Sequence, residues 1–295
     1  MKSNQLHYSF PTGGRFVATA VVLAVAGLPS LRAQAQPVVT LDEMVVSAQR
    51  SSQQINQTPS SITLVSLEEL GSTDINSLQT ALGQQPGTVI VNSGATGAQS
   101  SVFMRGASSH QTLFMVDGVR MNDRSAPYSN VLGSADLTGL DRLEVLRGPQ
   151  STLYGSSAMG GVITLETARG IDGVRGSLQA EYGSFDTFSA SATVAGGVES
   201  LGYSGSVSRF QTANDRPENS FESWNYSGRF EGQITEKVLL GATLRGMTST
   251  YEEPGSTLSP FPGTADLNNN LATVFGEVQV TDGFTSRLTG AYYWK

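Results

Sequence analysis

Cysteine and histidine, on which much enzyme chemistry depends, are scarce in this sequence. It contains no cysteine and only two histidines, His7 and His110, which leaves little for a thiol nucleophile, a histidine-rich metal site or a Ser-His-Asp triad. The G-x-S-x-G, H-E-x-x-H and G-K-[ST] motifs are absent. The glycines from Gly155 to Gly161 look like a phosphate-binding loop, but the lysine of such a loop is missing, so tight bends beside closely packed backbone are the better interpretation. We therefore expect a protein that is not an enzyme.

One acidic group has residue types that suit a hard cation. Asp215, Glu218 and Glu222 follow Asn214 within a polar stretch. Carboxylate and amide oxygens are the ligands that calcium prefers. An arginine and a proline interrupt the group, and the carboxylates are sparse. Two interpretations stay open: a calcium site, which would be the only cofactor site expected in this chain, and a solvated acidic loop.

The elements that must position the remaining candidate residues lie in the middle of the chain. Apolar alternation in Val102–Met104 and Leu113–Met121 predicts strands. Asp117-Gly118 predicts a hairpin, because a two-residue type I′ turn needs positive φ at both central residues. A further apolar run, Leu143–Leu146, stops at Arg147-Gly148-Pro149, where the proline cannot donate to a ladder.

Shorter elements precede this region. Ile62–Val65 and Val89–Val91 are strand candidates, and Asp74 could cap a helix in which Leu78 and Leu82 fall at helical spacing. The mixture of short strands and helices predicts an α+β domain over residues 55–168.

From Gly176 onward the pattern changes to strict alternation in segments of about ten residues. Tyr226 and Phe230, for example, alternate with Ser227 and Arg229. One face is apolar and the other polar, as in transmembrane β-strands, although the period alone also fits a soluble sandwich. The connections alternate between short and long, which favours a barrel with short periplasmic turns and longer outer loops. Seven such strands are predicted over 172–295.

Seven strands cannot close a barrel around a domain of this size. Bacterial barrels have even strand numbers, and barrels with a plugged lumen have about 22 strands. The sequence ends inside a strand pattern at Tyr293–Lys295. We therefore expect an α+β plug domain inside an antiparallel transmembrane β-barrel, of which only about the first third is present.

The first 35 residues resemble a secretory signal. Lys2 and Arg15 precede the apolar run Phe16–Leu28, and Ala33-Gln34-Ala35 offers small residues for cleavage. The alternative is a membrane anchor that is retained. Removing this segment would change the net charge from −7 to −10, and an acidic protein is a poor candidate for binding nucleic acid.

Four motifs in matching order make a family resemblance specific. The central region resembles the plug domain of TonB-dependent outer-membrane receptors, and its pattern is similar to the cobalamin transporter family. The motifs are Phe103-Met104-Arg105-Gly106, Val116-Asp117-Gly118-Val119, Glu144-Val145-Leu146-Arg147-Gly148-Pro149, and Tyr154-Gly155 through Gly160-Gly161-Val162-Ile163.

The resemblance implies a function and partners. The protein would lie in the outer membrane of a Gram-negative-type bacterium, in contact with its lipid. It would import a scarce ligand, such as a corrinoid or a ferric siderophore, using energy from TonB and its ExbB/ExbD complex. The alternative is a signalling or adhesive receptor without transport, but the few residues from Gln36 to Leu41 leave no room for a signalling domain before the box.

The resemblance also assigns residues near the N-terminus. A TonB box would add a strand to TonB, with backbone hydrogen bonds supplying the affinity. The alternative is an ordinary first strand of the plug, and we expect this strand to have no partner within its own segment. The box would comprise Asp42, Glu43, Met44, Val45, Val46, Ser47 and Ala48.

Two further sets of residues follow from the resemblance. Arg105, Arg147 and Glu144 would make contacts between plug and barrel, the arginines through carboxylates on the barrel wall. The alternative for each arginine is a solvated surface position. Ser108, His110 and Tyr128 are candidates for contact with the ligand.

Overall fold

A computed structural model describes residues 60–66, 77–122, 132, 135–255, 261–281 and 283–295, together with the backbone of 44–45 and 53–54. The expected signal, Asp74, Tyr128 and the remaining residues of the predicted box lie outside this part of the chain. Within the described residues, no helix is long and apolar enough to cross a membrane.

The N-terminal half of the described chain contains nine short strands. A six-residue helix spans Leu78–Gly83 and a single turn spans Ser151–Tyr154. Two 3-10 turns lie at Ser109–Gln111 and Ser156–Ala158. The strands are β1 Met44–Val45, β2 Gln53–Gln54, β3 Ser61–Ser66, β4 Thr88–Asn92, β5 Ser100–Met104, β6 Thr112–Val116, β7 Val119–Arg120, β8 Leu140–Arg147 and β9 Gly161–Thr167.

Five of these strands form a mixed sheet in the order β3-β8-β9-β6-β7. Only the β6–β9 pair is parallel. The predicted hairpin is confirmed: β6 and β7 are antiparallel, and Asp117 and Gly118 have φ of 50° and 81°, in the left-handed region that a type I′ turn requires. The α+β architecture expected for the plug is therefore confirmed.

The plug sheet is buried on both faces. Leu143 and Val145 pack with Leu78 of the helix on one face, and Leu146 packs with Tyr154 on the other. Burial on both faces explains why β6, Thr112–Val116, reads as a nearly continuous apolar run instead of an alternating one.

The helix begins later than the sequence predicted. Ser77 caps it, with its Oγ accepting a hydrogen bond from the Thr80 backbone N–H at 3.2 Å. Serine and aspartate are equally good caps, so composition does not distinguish Ser77 from Asp74.

The C-terminal half forms one antiparallel sheet, called the wall below, in which each strand pairs with the next in the chain. The seven predicted strands are confirmed. They are β10 Gly173–Gly183, β11 Thr187–Val198, β12 Leu201–Thr212, β13 Phe221–Thr235, β14 Val238–Glu253, β15 Gly263–Thr281 and β16 Phe284–Trp294.

The rhythm of short and long connections is confirmed from β11 onward, whereas the connection 184–186 between β10 and β11 is short on the side of the long ones. Two-residue turns join β11 to β12, β13 to β14 and β15 to β16, whereas 213–220 and 254–262 are longer. The second long connection is shorter than predicted, because β14 and β15 remain paired as far as Glu253 and Gly263.

The polarity of the wall is the reverse of that in a soluble protein. On β13, Trp224, Tyr226 and Phe230 are 46%, 37% and 55% exposed, whereas Asn225 and Arg229 are buried. The buried polar side faces the plug, and the apolar side faces outward. This is the orientation that the alternating pattern predicts for a transmembrane strand.

Candidate functional site

The surface between plug and wall is built largely from small hydroxyl side chains. Ser204 Oγ donates a hydrogen bond to the carbonyl oxygen of Ala168, at the end of the plug. Ser227 Oγ donates to the carbonyl oxygen of Gly139 at 3.4 Å. One apolar wall residue, Leu271, joins the plug core. Most of these contacts are short-range polar ones, which an aqueous environment can replace when the two parts separate.

Plug and wall approach each other closely at a glycine. Gly139 has a φ of 72° and faces the wall between β12 and β13. A Cβ at this position would overlap the hydroxyl groups of Ser206 and Ser227, which are themselves 2.7 Å apart. Both the backbone conformation and the available space therefore require glycine.

An aspartate lies beside this point of approach. Asp136 is half-buried and accepts hydrogen bonds from Ser208 Oγ and, at 3.3 Å, from the Thr138 backbone N–H. Enclosure between plug and wall raises the pKa of Asp136 above its ordinary value. The hydrogen bond from Ser208 and the charge of Arg245 on β14 oppose that rise.

The two predicted contact arginines lie together on the plug. Arg147 Nη1 donates to Ser61 Oγ at 3.4 Å, and Nη2 donates to Thr63. Burial, together with the charge of Arg105, lowers the pKa of Arg147. Strand β8 begins at Leu140, next to the wall contact at Gly139. At about 3.3 Å per residue, Arg147 lies about 23 Å along the strand from Leu140. Contact of either arginine with a barrel carboxylate stays a prediction.

Glu144, the third predicted contact residue, is fully buried within the plug. Its Oε1 lies 3.1 Å from Nε of Arg142, and Nη2 of Arg142 lies 2.7 Å from Oε2 of Glu166. The carboxylates of Glu166 and Glu144 outweigh the effect of burial and raise the pKa of Arg142. This ion-pair group joins β8 to β9 inside the plug, and a role of Glu144 toward the barrel stays a prediction.

The candidate ligand residues lie in a compact turn. The Ser108 backbone N–H donates to Oε1 of Gln111 at 2.9 Å, and His110 is exposed on the 3-10 turn between them. Tyr128 lies outside the described residues. Contact of these three residues with a ligand stays a prediction.

The acidic group in the 213–220 connection and at the start of β13 is partly engaged. Oε1 of Glu222 lies 3.0 Å from Nη2 of Arg209, and Nδ2 of Asn214 donates to the carbonyl oxygen of Asn219 at 2.6 Å. Across the described ranges, no cluster of three acidic or histidine side chains is close enough to hold a metal ion. Calcium binding by Asp215, Glu218 and Glu222 stays a prediction.

The box strand has a partner that the sequence did not reveal. Met44 pairs with Gln54 and Val45 pairs with Gln53 in an antiparallel ladder. The expectation that this strand lacks a partner in its own segment is therefore wrong. Two glutamines in a polar linker carry no strand signal, which explains why the pairing was missed.

Other contact residues also escaped the sequence. The alternation of apolar and polar residues along β12 and β14 is consistent with Ser208 and Arg245 on the inner face of the wall. No sequence signal connects either residue to Asp136. Such contacts depend on how two separately folded units dock.

Comparison with protein families gives a match over the plug. Residues 54–162 match the model described as the TonB-dependent receptor plug domain.

Relatives of known function match a larger part of the chain. The vitamin B12 transporter BtuB of Vibrio vulnificus (strain CMCP6) is 38% identical over 134 residues, which is 45% of this chain and 22% of that protein. BtuB of Photobacterium profundum is 36% identical over 189 residues, 62% of this chain and 30% of that protein. The chain thus spans less than a third of either relative.

Solved structures resemble the fold over plug and wall together. The ferripyoverdine receptor of the outer membrane of Pseudomonas aeruginosa, solved with ferripyoverdine bound, matches with a TM-score of 0.72. The match covers 84% of this chain and 35% of that receptor at 17% identity. At this identity the likeness concerns the fold alone.

Proposed function

Because the chain belongs to the TonB-dependent receptors, with a plug and seven strands of a barrel wall, we propose that it serves to import a scarce ligand across the outer membrane with energy from TonB. The observation that carries this proposal is the reversed polarity of the wall. A sheet that is apolar outside and polar toward an enclosed domain suits a lipid exterior and an aqueous, plugged lumen.

The dimensions of the apolar face support a place in the membrane. On β13 the exposed apolar residues run from Trp224 to Ile234. At about 3.3 Å per residue and a tilt of about 40°, they span about 25 Å along the membrane normal, the height of the apolar band of outer-membrane barrels.

The box strand supports docking of TonB by strand exchange. Only two residue pairs join Met44–Val45 to Gln53–Gln54, and a ladder this short is marginally stable in water. A partner that offers a longer edge would replace it at little cost, as in other strand-addition complexes.

The proposed ligand class rests on what the relatives and the fold neighbour are named for. The two relatives above are vitamin B12 transporters, and the neighbouring structure holds a ferric siderophore. A corrinoid or a ferric siderophore is therefore proposed. Deleting the complete receptor gene should impair growth either on limiting cobalamin or on limiting iron, and the deficient medium identifies the ligand class.

The coupling step is tested at Val45. Val45→Pro in the complete receptor removes a backbone donor and fixes φ near −65°, so TonB docking by strand addition should fail and uptake should be lost. Surface binding of labelled ligand should change by less than about tenfold, because the ligand meets the opposite side of the plug.

Val45→Thr is the matched control. It keeps the backbone donor and the β-branched shape, and uptake should stay close to that of the wild type. Normal energy-dependent accumulation by the proline variant, measured beside surface binding in the same cells, would refute coupling through this strand.

A further inference from the structure

A cavity of about 290 Å³ lies between the plug and the inner face of the wall. This volume is close to the lower end of the range for small-molecule sites, about 300 Å³. Three of the side chains that line it are arginines: Arg169 follows the last plug strand, and Arg229 and Arg287 lie on β13 and β16. Arg287 is near the start of β16, so the cavity lies toward the short turns of the wall, which are the periplasmic ones in outer-membrane barrels.

Two of the three guanidinium groups are matched by carboxylates of the protein. Nη2 of Arg229 lies 2.6 Å from Oε2 of Glu231, its neighbour on the same face of β13. Nη2 of Arg169 lies 3.7 Å from Oε2 of Glu166, at the end of the last plug strand. These two arginines therefore bring little surplus charge to the cavity.

The third arginine is held by an aromatic ring. Cζ of Arg287 lies 4.6 Å from the centre of the Phe275 ring, and Cζ of Arg229 lies 5.1 Å from the same centre. The ring is 3% exposed and covers Gly241 on β14, where a Cβ would overlap it. Among the described residues no ion pair joins Arg287 to a carboxylate, although Glu277 lies opposite it in the β15–β16 ladder. A cation–π contact fixes the direction of a guanidinium and leaves its N–H donors available.

A buried hydroxyl group adds to the unused polar atoms of the cavity. Thr164 is 7% exposed, and in the described part of the chain its Oγ1 has no hydrogen-bond partner. The nearby carboxylate of Asp117 is already engaged, because it accepts from the backbone N–H of Thr167 at 2.9 Å and from its hydroxyl at 2.8 Å. Buried polar groups are seldom left without a partner, so we expect the cavity to hold a group that accepts hydrogen bonds.

We propose that this cavity is a binding site for a small oxyanion, that is, a carboxylate or phosphate group held by Arg287 and Thr164. A guanidinium offers two parallel N–H donors to two oxygens of such a group, and both hydrogen bonds are charge-assisted. Two sources share this chemistry: an acidic group of the imported ligand on its way to the periplasm, and a free periplasmic anion. The first source rests on the transport function proposed above, and the second does not.

The first test is calorimetric titration of the complete receptor, purified in detergent, with inorganic phosphate and separately with succinate. The wild type should bind at least one of them in a saturable manner. Arg287→Met should weaken this binding by about tenfold or more, the usual cost of losing a charge-assisted hydrogen bond. Arg287→Lys keeps the charge but has no parallel pair of donors, so its affinity should be intermediate.

A second substitution tests the hydroxyl group. Thr164→Val keeps the shape of the side chain and removes a polar atom that has no partner in the empty cavity. It should therefore leave the plug at least as stable as in the wild type and weaken oxyanion binding by about threefold. A hydroxyl that plays no part in binding would leave the affinity unchanged, which would remove Thr164 from the site.

Arg209→Met is the matched control. Arg209 also lies over an aromatic ring, with Cζ 5.3 Å from the centre of Trp224, but Glu222 pairs with it. Since it lies opposite Trp224 in the β12–β13 ladder, it is on the outer face of the wall, and its loss should leave oxyanion binding unchanged. Each variant is checked for its amount in the outer membrane, and Arg287→Gln replaces Arg287→Met if the latter does not assemble.

Uptake of labelled ligand by cells separates the two sources. Slower uptake by Arg287→Met with unchanged surface binding would assign the oxyanion to the imported ligand, whereas normal uptake would assign the site to a free periplasmic anion. If the receptor does not transport, the titration still tests the site by itself. No saturable binding of either probe by the wild type, or equal binding by the wild type and Arg287→Met, would overturn the proposal.

Discussion

The strands of the plug and those of the wall bury opposite kinds of side chain. In the plug, Leu143 and Val145 are fully buried, as apolar residues are in a water-soluble domain. In the wall, Phe230 and Leu288 are 55% and 80% exposed, whereas Ser223 and Thr273 are each 2% exposed. The difference shows that burial in this molecule follows the solvent on each side of a strand, not the hydrophobicity of the residue.

The comparison also draws attention to the interface between plug and wall. The polar outside of the plug and the polar inside of the wall meet each other, and Asp136, Gly139 and Arg245 lie there. An interface between two polar surfaces gains little from the hydrophobic effect, which suits the rearrangement of the plug that the proposed import requires.

The largest expected effect tests whether the plug has a tightly packed apolar core, as a water-soluble domain does. Leu143→Ala should destabilise the plug by about 2–5 kcal/mol, because it leaves a cavity in a fully packed site. Leu288→Ala, on the outer face of β16, should cost less, because fluid lipid would fill the space. Hydrogen exchange of the β8 and β16 amides in the complete receptor measures both. Equal losses of protection would contradict the comparison.

A second prediction tests the outer face of the wall. Phe230→Arg should destabilise the complete receptor by about 2–4 kcal/mol, since Phe230 lies near the middle of the apolar band. Gln233→Arg, on the same strand but on the polar side, should be milder. Unfolding in detergent or lipid vesicles measures both variants, and equal tolerance would show that the faces are assigned wrongly.

A third prediction concerns the surface where the two regions meet. Gly139→Ala should weaken docking of the plug by about 1–3 kcal/mol, through strain at positive φ and overlap with Ser206. Gly118→Ala is the control, because Gly118 also has positive φ but nothing lies within 4 Å of a Cβ placed there. Protease sensitivity of the plug in intact membranes compares them. A larger effect at Gly118 would place the close approach elsewhere.

The smallest effect concerns pH. Enclosure raises the pKa of Asp136 above its ordinary value of 3.8, so the docked plug binds a proton more tightly than the released plug. The stabilising contribution of this group is complete below 3.8 and is lost as the pH rises through the raised pKa. Mild acidification should therefore tighten docking in the wild type, and less so in Asp136→Asn. Protease sensitivity measured across pH checks this difference. Identical profiles for the wild type and Asp136→Asn would show that Asp136 does not cause the pH dependence of docking.

Local patterns were enough to predict much of the fold. The Asp117-Gly118 turn has a steric requirement that few other sequences meet, so its hairpin could be placed to the residue. The faces of β13 follow from a period of two, which is a property of the strand itself. The bounds of β14 and β15 were harder, because Tyr251 and the asparagines before Leu271 are compatible with either strand or loop.

The candidate site was much less accessible from the sequence. Ser208 is one serine among many on alternating strands, and its hydrogen bond to Asp136 joins residues that are 72 positions apart in the chain. The pairing of Met44–Val45 with Gln53–Gln54 has no compositional signal either. Such contacts depend on how separately folded segments dock against each other. Strand propensity and the period of the side chains describe only each segment by itself.

The contact between Gly139 and Ser206 has a consequence for exchanging parts between receptors. A plug with a larger residue at the position of Gly139 would seat less well in this wall, and a wall with a bulkier residue at the position of Ser206 would hold this plug less well. These two positions should therefore vary together among homologous proteins, and a chimera should assemble best when both come from the same parent or when both remain small.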